Sequence, residues 1–516
     1  MNLIFFKGKF VEYSILRLMK QVLLIFLLSG AVIVKCAGED SPQWGEKFTH
    51  NMVSKEKGLP SEFDPVTRKN IKWIAELGSQ THSTPVIANG RVFIGTNNDK
   101  PRNPKYKGDR GVLMCFDEKD GKFLWQLVVP KYSDDIYQDW PKAGICSPAT
   151  VESNRVYILS NRGEAMCLDI NGMADGNNGP FTNESVLLAP KNSEPIPMDT
   201  TDADILWVFD IHGTVKTYPH DSAHSSFLIH GDFIYINTGN GVDNTHRRIR
   251  APDAPSLIVL EKHTGRLVAM DDEKIGPRIF HCTWSSPALA NIDGRELVIF
   301  CGGDGVVYAF EALRQAPKEG EVVKLKRIWR FDCDPTAPKE DVHRYIGNRK
   351  ESPSNIKSMP VVYKNRVYVT AGGDEWWGKD QAWLFCIDAT KTGDITQNGK
   401  LWSCPLDKHS MSTPAIFNGL VFVGDSGGNL NCIDAETGEK IWTHQLKGAI
   451  WASPLVADNK VFIGSRRGDF CILSASREKR VLHTIDLGSP ISSSAVAANN
   501  TLYIATMTKL FAIANQ

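Results

Sequence analysis

A chain of 516 residues in which 59 Lys and Arg are matched by 59 Asp and Glu has no global field with which to recruit nucleic acid or an anionic membrane. Its 42 Gly and 13 Trp, against 11 Met, favour strands and turns over helices. The length leaves room for one large repeat fold or about three ordinary domains.

The first element in chain order is a targeting segment. Lys7, Lys9, Arg17 and Lys20 precede an apolar run from Val22 to Val34. That run has the length of a signal-peptide core and is short for a membrane span. Cleavage is expected after Cys36, with Val34 at the −3 position and Cys36 at −1. Residues 1–36 then form a signal peptide, and the mature chain is periplasmic or secreted with no transmembrane span. Met19 is a second candidate start, since Met19-Lys20 opens a tidier signal. Lys35 stands where a lipobox wants a small residue, which argues against lipidation of Cys36. Residues 37–69 form an exported lead-in, and residues 70–516 carry the repeat.

The clearest repeat runs from Ser412 to Trp442. Ala415-Ile416-Phe417 reads as a first strand, and Asn418-Gly419 as a tight hairpin turn. Leu420 to Val423 is a second strand, Gly427 to Ile433 a third, and Lys440 to His444 a fourth that carries Trp442. Trp73, Trp125, Trp207, Trp329 and Trp402 hold the equivalent fourth-strand position elsewhere, and Trp402 to Trp442 sets a minimum period of 40 residues. First strands begin around Pro85, Pro148, Phe227, Pro287, Pro360, Pro414, Pro454 and Ala495, which makes eight units. Four-stranded units of about this length are propeller blades. The last unit has three strands, and residues 70–77, carrying Trp73, form a fourth strand with no blade before it. The expected fold is therefore all-β: an eight-bladed β-propeller of four-stranded blades, closed by pairing the N-terminal strand with the C-terminal blade. On this reading the first ~45 residues are dispensable and residues 70–77 are not.

Eleven cysteines in an exported chain would ordinarily suggest disulfides. However, Cys115, Cys167, Cys386, Cys432 and Cys471 fall at one third-strand position, where other blades place Val259, Ala309 and Ala512. A position shared by Cys, Ala and Val wants a small apolar side chain, so these five are expected to be buried free thiols. No Cys-x-x-Cys occurs, and no metal ligand set is named from the sequence.

Strand order places the start of each first strand, and each loop between second and third strands, on one face. The long insertions fall there: 97–110, 131–144, 211–223, 238–254, 333–355 and 372–381. Function concentrates on such loops. Three residues before each strand start stand His82, Ile145, His224, Trp284, Lys357, Met411, Trp451 and Ser492. The next position is uniformly small, as crowding near the axis requires. The varied position has the composition of a ligand pocket. The loops add Asp374, Glu375, Trp376 and Trp377, the aromatic residues Tyr132, Tyr137 and Trp140, the guanidinium groups of Arg247, Arg248, Arg250, Arg344 and Arg349, and His343. The expected ligand-binding set is His82, His224, Trp284, Lys357, Met411, Trp451, Trp376, Trp377, Asp374, Arg247 and Arg344, with no catalytic residue singled out. Aromatic faces with polar neighbours suit a sugar ring, a quinone plane or a peptide.

The six tryptophans, and Asp434-Ala-Glu-Thr-Gly438-Glu-Lys-Ile-Trp442, resemble the docking tryptophans and repeat signature of the pyrroloquinoline-quinone (PQQ) propeller superfamily. Weaker copies are Asp117 to Gly121 with Trp125, and Glu261 to Gly265. The resemblance covers residues 70–516, and the lead-in from Gln43-Trp44 to Gly58-Leu59-Pro60 resembles that of exported members. It implies one of two functions. The first is a non-catalytic binding or scaffold propeller, similar to the outer-membrane assembly lipoprotein family. It needs no cofactor and engages a protein or carbohydrate partner, as a monomer and without nucleic acid. The alternative is a quinoprotein dehydrogenase oxidising an alcohol or polymer with PQQ and Ca²⁺. Trp284 or Trp451 would then stack on the quinone, and Asp99, Asn240, Asp304 and Asp374 would supply candidate Ca²⁺ oxygens. The vicinal cysteines of that family are absent, which favours the binding reading.

Overall fold

Short apolar runs bounded by turn residues become strands buried on both faces, as in Leu420–Gly424. Asn418 and Gly419 take φ of 48° and 76°, the left-handed pair that a two-residue hairpin requires. The structure, a computed structural model, describes residues 38–221 and 224–515. The signal segment, Cys36 and both candidate starts lie outside the described residues. Among the described residues, no helix is long and apolar enough to cross a membrane.

Eight antiparallel sheets follow one another in chain order and form the blades of a ring. The first blade comprises Val86–Ala88, Arg91–Asn97, Arg110–Asp117 and Phe123–Pro130. The first strands of the others start one or two residues after the positions expected from sequence: Thr150–Glu152, Leu228–His230, Ala288–Ile292, Val361–Tyr363, Ala415–Phe417, Leu455–Ala457 and Val496–Ala498. Ile71–Glu76 pairs antiparallel with Lys509–Ile513, with Trp73 opposite Ala512, so the N-terminal strand completes the eighth blade as expected.

Each docking tryptophan faces a small third-strand residue across the ladder: Cys115, Cys167, Ala309, Cys386, Cys432 or Ala512. On its other side that residue faces a second-strand aromatic in five of these blades and Ile299 in the blade of Trp329. Phe93 and Trp125 rings are 5.9 Å apart, Tyr368 and Trp402 5.9 Å, and Phe422 and Trp442 5.9 Å. A larger residue between them would hold the rings apart, which explains the Cys and Ala. Cys471 breaks this register. It lies one residue early, opposite Thr484, and Ile472 takes the equivalent place opposite His483. Blade 7 has no tryptophan to accommodate, so the larger Ile fits. All ten described cysteines are free and buried.

The tryptophans also join blades. The indole N–H of Trp73, Trp125, Trp207, Trp402 and Trp442 donates to a carbonyl of the next blade, at Glu118, Ile170, Lys262, Ala435 and Ser476, over 2.9–3.1 Å. A Cβ added at Gly121 would lie 2.7 Å from Trp73, and one at Gly438 2.7 Å from Trp402. The repeat's glycine therefore has two reasons: its φ is positive, and an indole lies against it. Beyond the expected four strands, Val323–Lys324 adds a parallel fifth strand to blade 3, and Gly393–Asp394 one to blade 4. Each comes from the blade that follows and covers an exposed edge.

The lead-in is part of the ring rather than a dispensable leader. The innermost edge of each first strand lacks a partner within its blade. The lead-in carbonyls of Ser41, Pro42, Phe48, Thr49 and Met52 accept from the N–H groups of Ile87, Val151, Leu289, Val362 and Val456 over 2.7–3.0 Å. Asn51 brackets Ile416 with its side chain, Ser54 Oγ donates to Ala497 O at 3.1 Å, and Glu39 O accepts from Asn499 N–H at 3.2 Å. Residues 39–54 thus touch the inner edges of seven of the eight blades and fill the turn-bearing part of the axial channel. Phe48 meets the remaining blade by ring contact with His230 at 5.9 Å.

Candidate functional site

Plugging the channel from one end leaves a pocket of about 580 Å³ at the other. The lead-in contributes Trp44 to its lining. Around it stand His82, His224, Trp284, Lys357, Met411, Trp451 and Ser492, the varied rim position of seven blades. Ile145, at the eighth, is fully buried, and its neighbour Cys146 lines the pocket instead. The 131–144 connection brings Tyr137 and Trp140, and the 372–381 loop brings Trp376 and Trp377. The loop-bearing face and the channel rim therefore build one cavity with six indoles in its wall: Trp44, Trp140, Trp284, Trp376, Trp377 and Trp451.

Cations lie against several of these rings. Lys357 Nζ sits 4.1 Å from the Trp376 ring centre and 4.7 Å from that of Trp284. Arg466 stacks on Trp451 at 4.3 Å and donates to Ser492 Oγ at 2.6 Å. Such contacts hold both partners in place.

Asp374 is in the expected set but does not line the pocket. It is fully buried, and its two oxygens are saturated by protein. Oδ2 accepts from Lys357 Nζ at 2.6 Å, His281 Nδ1 at 2.9 Å and Asn355 Nδ2 at 2.9 Å. Oδ1 accepts the backbone N–H groups of Trp376 and Trp377, both at 3.0 Å. Burial alone would raise its pKa, but Lys357 and His281 hold the carboxyl well below the usual range. Asp374 thus fixes the lysine and the tryptophan loop from beneath. Arg349 latches the same loop by donating to the carbonyls of Glu375, Trp376 and Gly378 over 2.8–3.2 Å.

Arg247 and Arg344 lie outside the pocket lining. Both are exposed, and Arg344 faces Asp341 at 3.9 Å on the surface. Within the 238–254 loop Asp243 accepts from Thr245 and Arg250, and the buried His246 rather than the exposed Arg247 reaches the pocket. His343 is spent on the Ile279 carbonyl at 3.0 Å.

The rim histidines are held neutral. Burial lowers His82 to about 3, assisted by the nearby Arg466 and His224, and burial also lowers His224 despite Asp221. Three residues that the sequence did not single out stand beside them. Asp221, His246 and His281 line the pocket, and His220 packs behind, stacked on Tyr137 at 5.8 Å. They lie on three separate loops flanking blade 3, so no spacing in the sequence connects them.

Ring and repeat together define a class: the chain is an eight-bladed β-propeller of four-stranded blades. A family profile described as outer membrane protein assembly factor BamB matches residues 386–515. No curated protein sequence matches the chain. Among solved structures, BamB from Moraxella catarrhalis superposes with a TM-score of 0.51 at 14% identity, over 85% of this chain and 98% of that one. The computationally designed Ika8 protein gives 0.51 at 12% identity, over 86% and 100%. Quinohemoprotein alcohol dehydrogenase from Comamonas testosteroni gives 0.43 at 11%, over 92% and 80%. At these identities the likeness is one of fold.

The residues present do not fit PQQ with Ca²⁺. No two cysteines are adjacent to form the stacking face. The candidate oxygens are engaged separately: Asp99 with Lys142 and Ser79, Asn240 with the backbone of Tyr218 and Ala251, Asp304 with Arg278 and Tyr308, and Asp374 as described.

Proposed function

We propose that the chain is an exported, non-catalytic binding propeller that holds a ring-bearing, hydroxyl-rich ligand, such as the end of a polysaccharide, in the plugged axial pocket. The observation that carries this reading is the cavity walled by six indoles, with polar groups of Lys357, Arg466, His82 and Ser492 among them. Its volume of about 580 Å³ is that of a small-molecule site and too confined for a folded protein partner. Indole faces cover the apolar faces of a sugar ring, and the fixed polar groups take its hydroxyls.

Titration of tryptophan fluorescence with oligosaccharides of differing backbone tests the reading. At least one series should quench or shift emission with saturation, and Trp376→Ala with Trp377→Ala should remove the response without lowering the melting temperature by more than a few degrees. No response from any oligosaccharide, alongside capture of a protein partner through the same face, would overturn it in favour of a scaffold. Reconstitution with PQQ and Ca²⁺ is expected to give no quinone absorbance shift.

A further inference from the structure

Between blades 3 and 4, the pocket wall holds an arrangement that the binding of a sugar does not use. Ligand nitrogens of His220, His246 and His281 all lie within 4.8 Å of one another, and all three rings are buried. His220 Nδ1 meets the Val242 carbonyl at 2.8 Å. A carbonyl only accepts, so that nitrogen carries the proton and Nε2 presents a lone pair. His281 Nδ1 meets Asp374 Oδ2 at 2.9 Å, and Asp374 is an anion, so His281 has the same tautomer. Both Nε2 atoms are buried without a hydrogen-bond partner. Both lie 3.6 Å from Asp221 Oδ2.

Two lone pairs and a carboxylate therefore face one another with no donor between them. Buried acceptors left in that state are costly, and native proteins satisfy them. A cation in the middle satisfies all at once. We propose that His220, His246, His281 and Asp221 bind a divalent first-row transition metal of the Zn²⁺ class. Imidazole nitrogens suit such a metal, whereas Ca²⁺ prefers an all-oxygen shell. The bond from His281 to Asp374 is the outer carboxylate that orients a metal-binding histidine, and the Val242 carbonyl does the same for His220. A tetrahedral site with bonds of about 2.0–2.1 Å spaces its ligand atoms by roughly 3.4 Å, so the rings need close by only about 1–1.5 Å. Because Asp221, His246 and His281 line the pocket, the metal borders the ligand cavity.

The test uses the mature chain stripped with a chelator and titrated with Co²⁺ and Zn²⁺ in the absence of any sugar, so its outcome is independent of the pocket ligand. One saturable site should appear, with visible Co²⁺ d–d bands of a four-coordinate nitrogen and oxygen shell, displaced by Zn²⁺. His246→Ala and His220→Gln should each weaken affinity by more than about tenfold. Asp221→Asn, the mildest change, should weaken it while leaving the metal-free melting temperature unchanged, which keeps the test open if a histidine variant fails to fold. Absence of Co²⁺ and Zn²⁺ uptake by the parent, or equal affinity in all three variants, overturns the proposal.

Discussion

The two ends of the axial channel are closed by different chemistry. At the turn-bearing end, residues 39–54 close it largely with backbone hydrogen bonds to the middle residues of first strands. At the loop-bearing end, side chains from different blades and loops enclose a cavity. A backbone seal depends little on which side chains carry it, but it is continuous and long. A side-chain wall is local, and its residues differ in what they support: Lys357 holds a buried carboxylate, whereas the exposed Trp140 does not. The backbone seal therefore lies at one end and the pocket proposed to take a ligand at the other.

The largest expected effect comes from breaking the first end. Deleting residues 38–57 strips the inner edges of most blades, and it should lower the melting temperature by on the order of 10 °C or abolish soluble expression. A melting temperature within about 2 °C of the parent would show that the ring seals itself. Next, Lys357→Met leaves Asp374 buried without its closest cation and should cost about 3–5 kcal/mol by chemical denaturation. A loss below about 1 kcal/mol would mean that His281 and Asn355 suffice. The sign with pH follows from the depressed Asp374 carboxyl: its contribution is present above the unfolded pKa and fades as pH falls through the folded one.

A smaller effect separates two docking tryptophans. Trp125 donates its indole N–H to Ile170, whereas that of Trp329 is buried without a partner. Trp125→Phe should therefore cost about 1 kcal/mol more than Trp329→Phe, and equal costs would show that docking rests on ring packing alone. The smallest effect is chemical. Burial pushes Cys386 and Cys432 up to about 12, so iodoacetamide at pH 8 should label no native thiol, while denatured protein labels fully. Intact mass after labelling decides it, and a labelled native Cys432 would count against a closed sixth blade.

The contrast between the ends also explains what was legible in the sequence. Repetition made the blades readable: a tryptophan, a small third-strand residue and a glycine recur because the same three-body contact recurs. The rim position was readable for the same reason, by register, even though its residues vary. The lead-in does not repeat. Its bonds use backbone carbonyls, which leave almost no mark on residue identity, so Ser41 to Met52 read as a leader. The cluster of His220, His246 and His281 was invisible because three loops of unrelated length bring it together. Cys471 was misplaced by one residue because it lies one step ahead of the position before the bulge, which Ile472 holds in blade 7 and Cys432 in blade 6.

The docking tryptophans have one more consequence. Six of the eight blades carry a docking tryptophan, and two have none: Ala269 stands in that place in blade 3 and His483 in blade 7. The parallel strand Val323–Lys324 joins blade 4 to blade 3 at the first seam, and beside the second the ring of Phe63 packs on blade 7, 5.8 Å from His483 and 5.9 Å from Phe470. In a ring of eight, these two seams stand diametrically opposite. The two seams without a tryptophan thus divide the ring into two arcs of four blades, and the histidine cluster and Trp284 lie at the seam between blades 3 and 4.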